Sequence, residues 1–218
     1  MKKLNIIYED KNLLIINKPA KLLTIGTDKV REYTLFHMAS DYVKKQYPKN
    51  KVFIVNRLDK DTSGLVVFAK NESFKKDLQN HWNDWVEREY VAILEGQVLK
   101  EEGTIQNYLW EDKTLMVHET TDSKKGSFAI THYKVLARKK GYTLVNIKID
   151  TGRKNQIRVH MCGIGHPIIG DKKYGAKKNP IGRLGLHANR LKICIPHYKD
   201  LILECDLPKE FQYFKKES

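Results

Sequence analysis

The segment Arg57-Leu58-Asp59-Lys60-Asp61-Thr62-Ser63-Gly64 gathers two carboxylates, a guanidinium and two hydroxyls into eight residues, the material for nucleophilic, acid–base or cation-binding chemistry. Asp59, Asp61 and Ser63 alternate and a glycine stands sixth, like the opening half of a calcium loop. The twelfth position is Lys70, where such a loop needs a bidentate Glu, so calcium is rejected. Neither Ser63-Gly64 nor Gly152-Arg153-Lys154 stands in the G-x-x-x-x-G-K-[ST] pattern that cradles phosphate. On spacing alone, Arg57, Asp59 and Asp61 equally describe a surface turn with a local ion pair. His160, Cys162 and His166 lie close together, but no fourth ligand stands at a typical spacing, and no metal site is expected. His187 reads as a hydrogen-bonded structural histidine and Tyr90, in Arg88-Glu89-Tyr90-Val91-Ala92, as a core tyrosine. Arg153 and Arg158, five apart, read as a solvated basic surface.

The elements that must position these groups follow from periodicity. Residues 4–8 and 13–17 are short apolar runs around a Glu-Asp-Lys-Asn spacer, which predicts a hairpin. Leu35, Met38, Ala39, Tyr42 and Val43 recur at helical spacing behind a capping Thr34, and that helix ends near Pro48. Residues 52–55 and 65–69 are β-branched runs, so the polar segment between them is a loop held by two strands, the usual seat of chemistry. Phe74, Leu78, Trp82 and Trp85 predict a second helix, and residues 90–94 a strand ending at Gly96. Residues 103–109, 115–118, 127–137 and 142–149 continue as a β-meander. Thr151-Gly152-Arg153 then leads into a helix at 156–161, strands at 186–195 and 201–204, and a terminal helix at 208–216. Many antiparallel strands with a few helices, without an internal repeat or a Pro/Gly/Ser-rich linker, predict one α+β domain over 1–218.

Composition narrows the partner. The chain has 218 residues, 41% hydrophobic, with 40 Lys and Arg against 26 Asp and Glu, a net charge of +14. Residues 151–218 hold 14 Lys and Arg against 6 Asp and Glu, more than half of that excess, with Lys172, Lys173, Lys177 and Lys178 closely grouped. Nucleic acid is the usual partner of such a surface. No apolar run approaches the roughly 18 residues of a membrane span, and Asn5 and Glu9 interrupt the start too early for a signal peptide. Three cysteines, an odd number without C-x-x-C spacing, argue against a disulfide framework and read as reduced and buried. The expectation is a cytoplasmic monomer with no membrane partner.

Taken together, the motifs resemble the RluA-type pseudouridine synthases, which isomerise a uridine within RNA to its C-glycoside. Arg57-Leu58-Asp59 with Thr62-Ser63-Gly64, Tyr90-Val91-Ala92 with Gly96, and Thr151-Gly152-Arg153 with Gln156-Ile157-Arg158-Val159-His160 carry the resemblance. His166-Pro167-Ile168, Gly170-Asp171, Tyr174-Gly175 and Leu186-His187-Ala188 complete it, in family order, from about residue 5 to residue 205. Asn56 and Asn155 depart from the commonest pattern, which has histidine before the Arg-Leu-Asp and before the Gln; both neighbour the reactive groups.

The resemblance implies a long, bent, mostly antiparallel sheet with flanking helices and a central cleft, beginning without the S4-type RNA-binding domain many members carry. It implies Asp59 as covalent nucleophile, Arg158 as its charge partner, and Tyr90 against the target base, placed to move a proton. Arg57 fills the space the extruded base vacates, and Arg153 and the four lysines meet RNA. Moving a glycosidic bond from N1 to C5 needs neither redox change nor hydrolysis, so no cofactor or metal is called for. The substrate is a uridine of rRNA or tRNA. The rival expectations are a catalytically silent RNA-binding or ribosome-assembly protein on the same fold, and a metal-dependent hydrolase built on His160, Cys162 and His166.

Overall fold

The computed structural model describes residues 3–26 and 33–215. In chain order the first elements are β1 (Ile6–Glu9), β2 (Leu13–Lys18), α1 (Leu35–Gln46), β3 (Phe53–Ile54), β4 (Ser63–Ala69), α2 (Glu72–Asn80) and α3 (Trp82–Trp85). There follow β5 (Val86–Glu95), β6 (Glu102–Glu111), β7 (Val117–Thr120), β8 (Ser127–Lys139), β9 (Tyr142–Ile149) and α4 (Gln156–Gly163). A 3-10 turn at Lys172–Tyr174, β10 (Leu186–Ile193), β11 (Leu201–Glu204) and α5 (Lys209–Gln212) complete the order. The chain divides into two compact units, Met1–Val86 with Ala188–Asp206 and Glu87–His187 with Leu207–Ser218.

In the first unit β1, β2 and β4 pair antiparallel in that order, with β3 on β4 and β11 on β10. The expected first hairpin forms because Asp10 Oδ1 accepts the Asn12 and Leu13 amides at 2.8 and 2.7 Å, a side-chain turn closing the spacer. Every residue of β4 is buried. Leu13 and Ile15 of β2, Leu65 and Val67 of β4, and Leu191 and Ile193 of β10 are each two apart and so line one face of their strands, where they share one core with Leu78 of α2. Each such buried side chain contributes roughly 1.5–3 kcal/mol. Gly64 has φ +119°, and a Cβ there would overlap the carbonyl of Ala188; only glycine lets these two backbones meet.

In the second unit the meander runs β5, β9, β8, β6, β7, each neighbour antiparallel. Helix α4 packs against it through Val159, beside Leu109, Val117, Ala129 and Tyr174. A second cluster joins Val91, Ile93, Leu144, Ile169, Phe211 and Phe214.

Several expectations need correction. The helix read through Trp85 is two helices broken at His81, the terminal helix is confined to Lys209–Gln212 with Lys216 outside the described residues, and the third strand of the meander starts at Val117, two residues late. Of the cysteines, Cys205 is buried while Cys162 and Cys194 are only half-buried. Among the described residues no helix is long and apolar enough to cross a membrane.

Candidate active site

Asp59 stands on the loop between β3 and β4, as predicted. Leu58 before it and Thr62 and Ser63 after it are buried, Asp59 itself is half-buried, and Arg57, Lys60 and Asp61 are exposed. The loop is tied from inside: the Asp59 carbonyl accepts the Thr62 amide at 3.2 Å, closing a turn. Asn56 bends back so that its Oδ1 accepts the Val67 amide at 2.8 Å, a bond that anchors the loop to β4. That gives one of the two departures from the family pattern a definite task. Two buried side chains that sequence reasoning missed, Lys18 and Thr24, also reach the loop's backbone.

Tyr90 lies on β5 opposite Ile147 and is 9% exposed, consistent with a core-facing ring whose edge still reaches the surface. Arg158 projects from the first turn of α4. The helix begins at Asn155, whose φ of 53° is left-handed, a conformation asparagine tolerates better than most residues. Gln156, buried, accepts from the Thr151 hydroxyl and the Arg153 amide and donates to the Ile130 carbonyl at 2.8 Å, pinning this helix start to β8.

Arg158 itself is held on two sides. Its Nε and Nη2 donate to the two carboxylate oxygens of Asp171 at 2.7 and 2.8 Å, and its Nη1 donates to Asn155 Oδ1 at 3.0 Å. Asn155 in turn donates to the Tyr174 hydroxyl at 2.9 Å, and the Tyr174 ring lies 5.0 Å from the guanidinium. The second family departure is thus an orienting amide. Asp171 was visible in the sequence only as a member of the Gly170-Asp171 motif; nothing in its spacing to Arg158 announced the pairing.

The RNA-contact candidates fall in the second unit except for Arg57. Lys172, Lys173, Lys177, Lys178 and Arg153 are all exposed. Arg153 Nε donates to the Phe128 carbonyl and Lys173 Nζ to the Leu115 carbonyl, which shapes the surface they present.

His160 is fully buried and committed on both nitrogens, to Thr131 Oγ1 at 2.8 Å and Asn107 Oδ1 at 2.9 Å. Because an amide oxygen only accepts, Nε2 carries the proton and Nδ1 accepts from Thr131. Burial pushes its pKa down to about 4, keeping the ring neutral. Burial, then the Glu119 and Asp171 carboxylates, raises the Cys162 thiol, the opposite of what a thiolate ligand requires. His166 Nδ1 meets the Glu95 carbonyl at 2.9 Å. His160, Cys162 and His166 are therefore structural groups.

A family model described as RNA pseudouridylate synthase matches residues 12–162, a span that holds Asp59, Tyr90 and Arg158. The chain belongs to that family. It is similar, at 36% identity over 96% of its own length and 70% of the relative's, to an uncharacterised RNA pseudouridine synthase of Bacillus subtilis, YhcT. It is also 34% identical to a ribosomal large subunit pseudouridine synthase D of Borreliella burgdorferi, over 96% of this chain and 67% of that one. Human RNA pseudouridylate synthase domain containing 4 superposes with a TM-score of 0.81 at 26% identity, covering 96% of this chain and 90% of that one. The fold is accordingly the α+β pseudouridine synthase fold, the protein is an RluA-type RNA pseudouridine synthase, and its substrate is RNA.

Proposed function

We propose that Asp59 is the nucleophile, Arg158 its charge partner and Tyr90 the group that faces the target uracil, and that the two units work as a single catalytic domain. The observation that carries the choice of nucleophile is the contrast within one loop: Asp59 is half-buried beside the buried Leu58, whereas Asp61 is exposed. A carboxylate drawn partly out of water sheds hydration that would otherwise blunt its attack. Asp59 attacks C1′, the N1–C1′ bond breaks and the uracil leaves with the electron pair. After the ring turns, C5 bonds to C1′ and displaces Asp59. The C5 proton is lost by way of Tyr90 and N1 gains one, so the product is an isomer of the substrate.

The substrate we infer is a uridine of ribosomal RNA, supported by relatives named for the large ribosomal subunit. That assignment implies a cytoplasmic enzyme, read here as a monomer. Mapping pseudouridine in rRNA and tRNA from cells with and without the gene tests it; a site lost only from tRNA would overturn the ribosomal assignment. For the residues, tritium release from C5-labelled uridine in RNA is the measure. Asp59→Asn should bind RNA and melt normally while releasing no tritium, and Asp61→Asn should stay active. Full activity in Asp59→Asn would end the assignment.

A further inference from the structure

Lys18 is the largest fully buried polar side chain among the described residues, at 0% exposure, and Thr24 is 3% exposed. The Lys18 ammonium, at the end of β2, donates to the carbonyls of Leu22 at 2.8 Å, Pro19 at 3.0 Å and Lys60 at 3.1 Å. The first two fold the segment 18–24 onto itself; the third crosses to the residue after Asp59. Thr24 engages the residue before it: its hydroxyl donates to the Leu58 carbonyl at 2.8 Å and accepts the Leu58 amide at 3.3 Å. Thr24 is itself fixed, because its carbonyl accepts the Phe36 amide in the first turn of α1 at 3.0 Å.

We propose that Thr24 and Lys18 are positioning residues: together they grip the backbone on either side of Asp59, at Leu58 and at Lys60, and so set the direction in which its carboxylate points. This rests on Asp59 being the nucleophile. A two-residue β3 gives the upstream arm of the loop little ladder of its own, so side chains take over the task. Burying an ammonium is costly unless its donors are met, and here three backbone carbonyls accept from it. Attack on a sugar carbon is steeply sensitive to such geometry, since a displacement of about 1 Å costs on the order of 100-fold in rate.

The test uses the full-length enzyme and total RNA from cells lacking the gene, tritiated at C5 of uridine. Thr24→Val keeps the shape and removes the hydroxyl. Assayed well below its melting temperature, it should lose roughly 10- to 100-fold in kcat with KM and RNA affinity unchanged. Thr24→Ser, which keeps the hydroxyl, should recover most of the loss. Lys18→Met should behave like Thr24→Val where it folds, and Thr24→Val decides the matter where it does not. A Thr24→Val enzyme that melts earlier but turns over at the wild-type kcat, or that suffers only in KM, overturns the proposal. Asp59→Asn run alongside separates the two claims: if it is dead while Thr24→Val is normal, the nucleophile stands and the grip falls; if it is active, both fall.

Discussion

Arg158 meets Asp171 through two parallel bonds, Nε to Oδ2 at 2.7 Å and Nη2 to Oδ1 at 2.8 Å, and the Asp171 side chain is 1% exposed. A fork seated on a buried carboxylate cannot turn about its own axis, so the plane of the guanidinium is set before any substrate arrives. Removing the carboxylate strips a largely buried guanidinium of its bidentate partner. Asp171→Ala should therefore cost about 3 kcal/mol of stability, read as a lower midpoint in urea unfolding. Arg158→Lys keeps the charge and loses the fork, and should be far less active than wild type in tritium release; equal activity would show that charge alone suffices.

Arg57 is exposed, as are Lys60 and Asp61 of the same loop. If it takes the place of the extruded base, Arg57→Ala should lose more activity on a uridine in a stem-loop than on the same sequence held single-stranded, where unstacking costs less. Equal losses on the two RNAs would assign Arg57 to chemistry or general binding, and a fall in the thermal melt would mark it as a loop anchor.

The exposed group Lys172, Lys173, Lys177 and Lys178 predicts binding that weakens steeply with salt, with a log–log slope of about −0.7 for each phosphate neutralised on a single strand. Replacing all four with Gln should flatten that slope and weaken binding while leaving turnover at saturating RNA intact. Loss of turnover at saturation would move these lysines into the active site.

His160 makes stability depend on pH with a definite sign. Its folded pKa of about 4 lies below the ordinary 6.5, so the unfolded chain takes up a proton first as the pH falls. The stability its burial confers is complete above pH 6.5 and drains away between 6.5 and 4, about 3 kcal/mol in all. The stability difference between wild type and His160→Gln, measured by urea unfolding, should shrink by that amount across this range. A constant difference would mean that the ring takes up its proton equally in the folded and unfolded chain.

Where local spacing decides structure, the sequence was a sound guide: Thr34 caps α1 by accepting the His37 amide, and the runs around residue 59 do frame a loop. It misled where a local hydrogen bond competes with periodicity. The apolar rhythm runs unbroken from Phe74 to Trp85, yet the amides of Asp84 and Trp85 both turn to the His81 carbonyl and start a new helix. Asp112 Oδ1 accepts the amides of Thr114 and Met116, holding Leu115 at φ 63° and delaying β7. Among the residues proposed for the site, Asp59 and Arg158 were singled out by motif. Lys18 and Asp171 did not, since a lysine at a strand end and an aspartate after a glycine look solvated until the chain brings their partners from 42 and 13 residues away.

The first unit's core takes Leu191, Ile193, Ile195, Leu201 and Cys205 from a stretch made more than a hundred residues after Val86. During synthesis, residues 1–86 emerge from the ribosome with five of the thirteen buried residues of this core still untranslated, and Gly64 has no Ala188 to rest against. Contacts of such long sequence separation form late and slowly. The loop that carries Asp59 is therefore among the last parts of the chain to settle, and a nascent chain would lack the site we propose until the strands after residue 186 have been made.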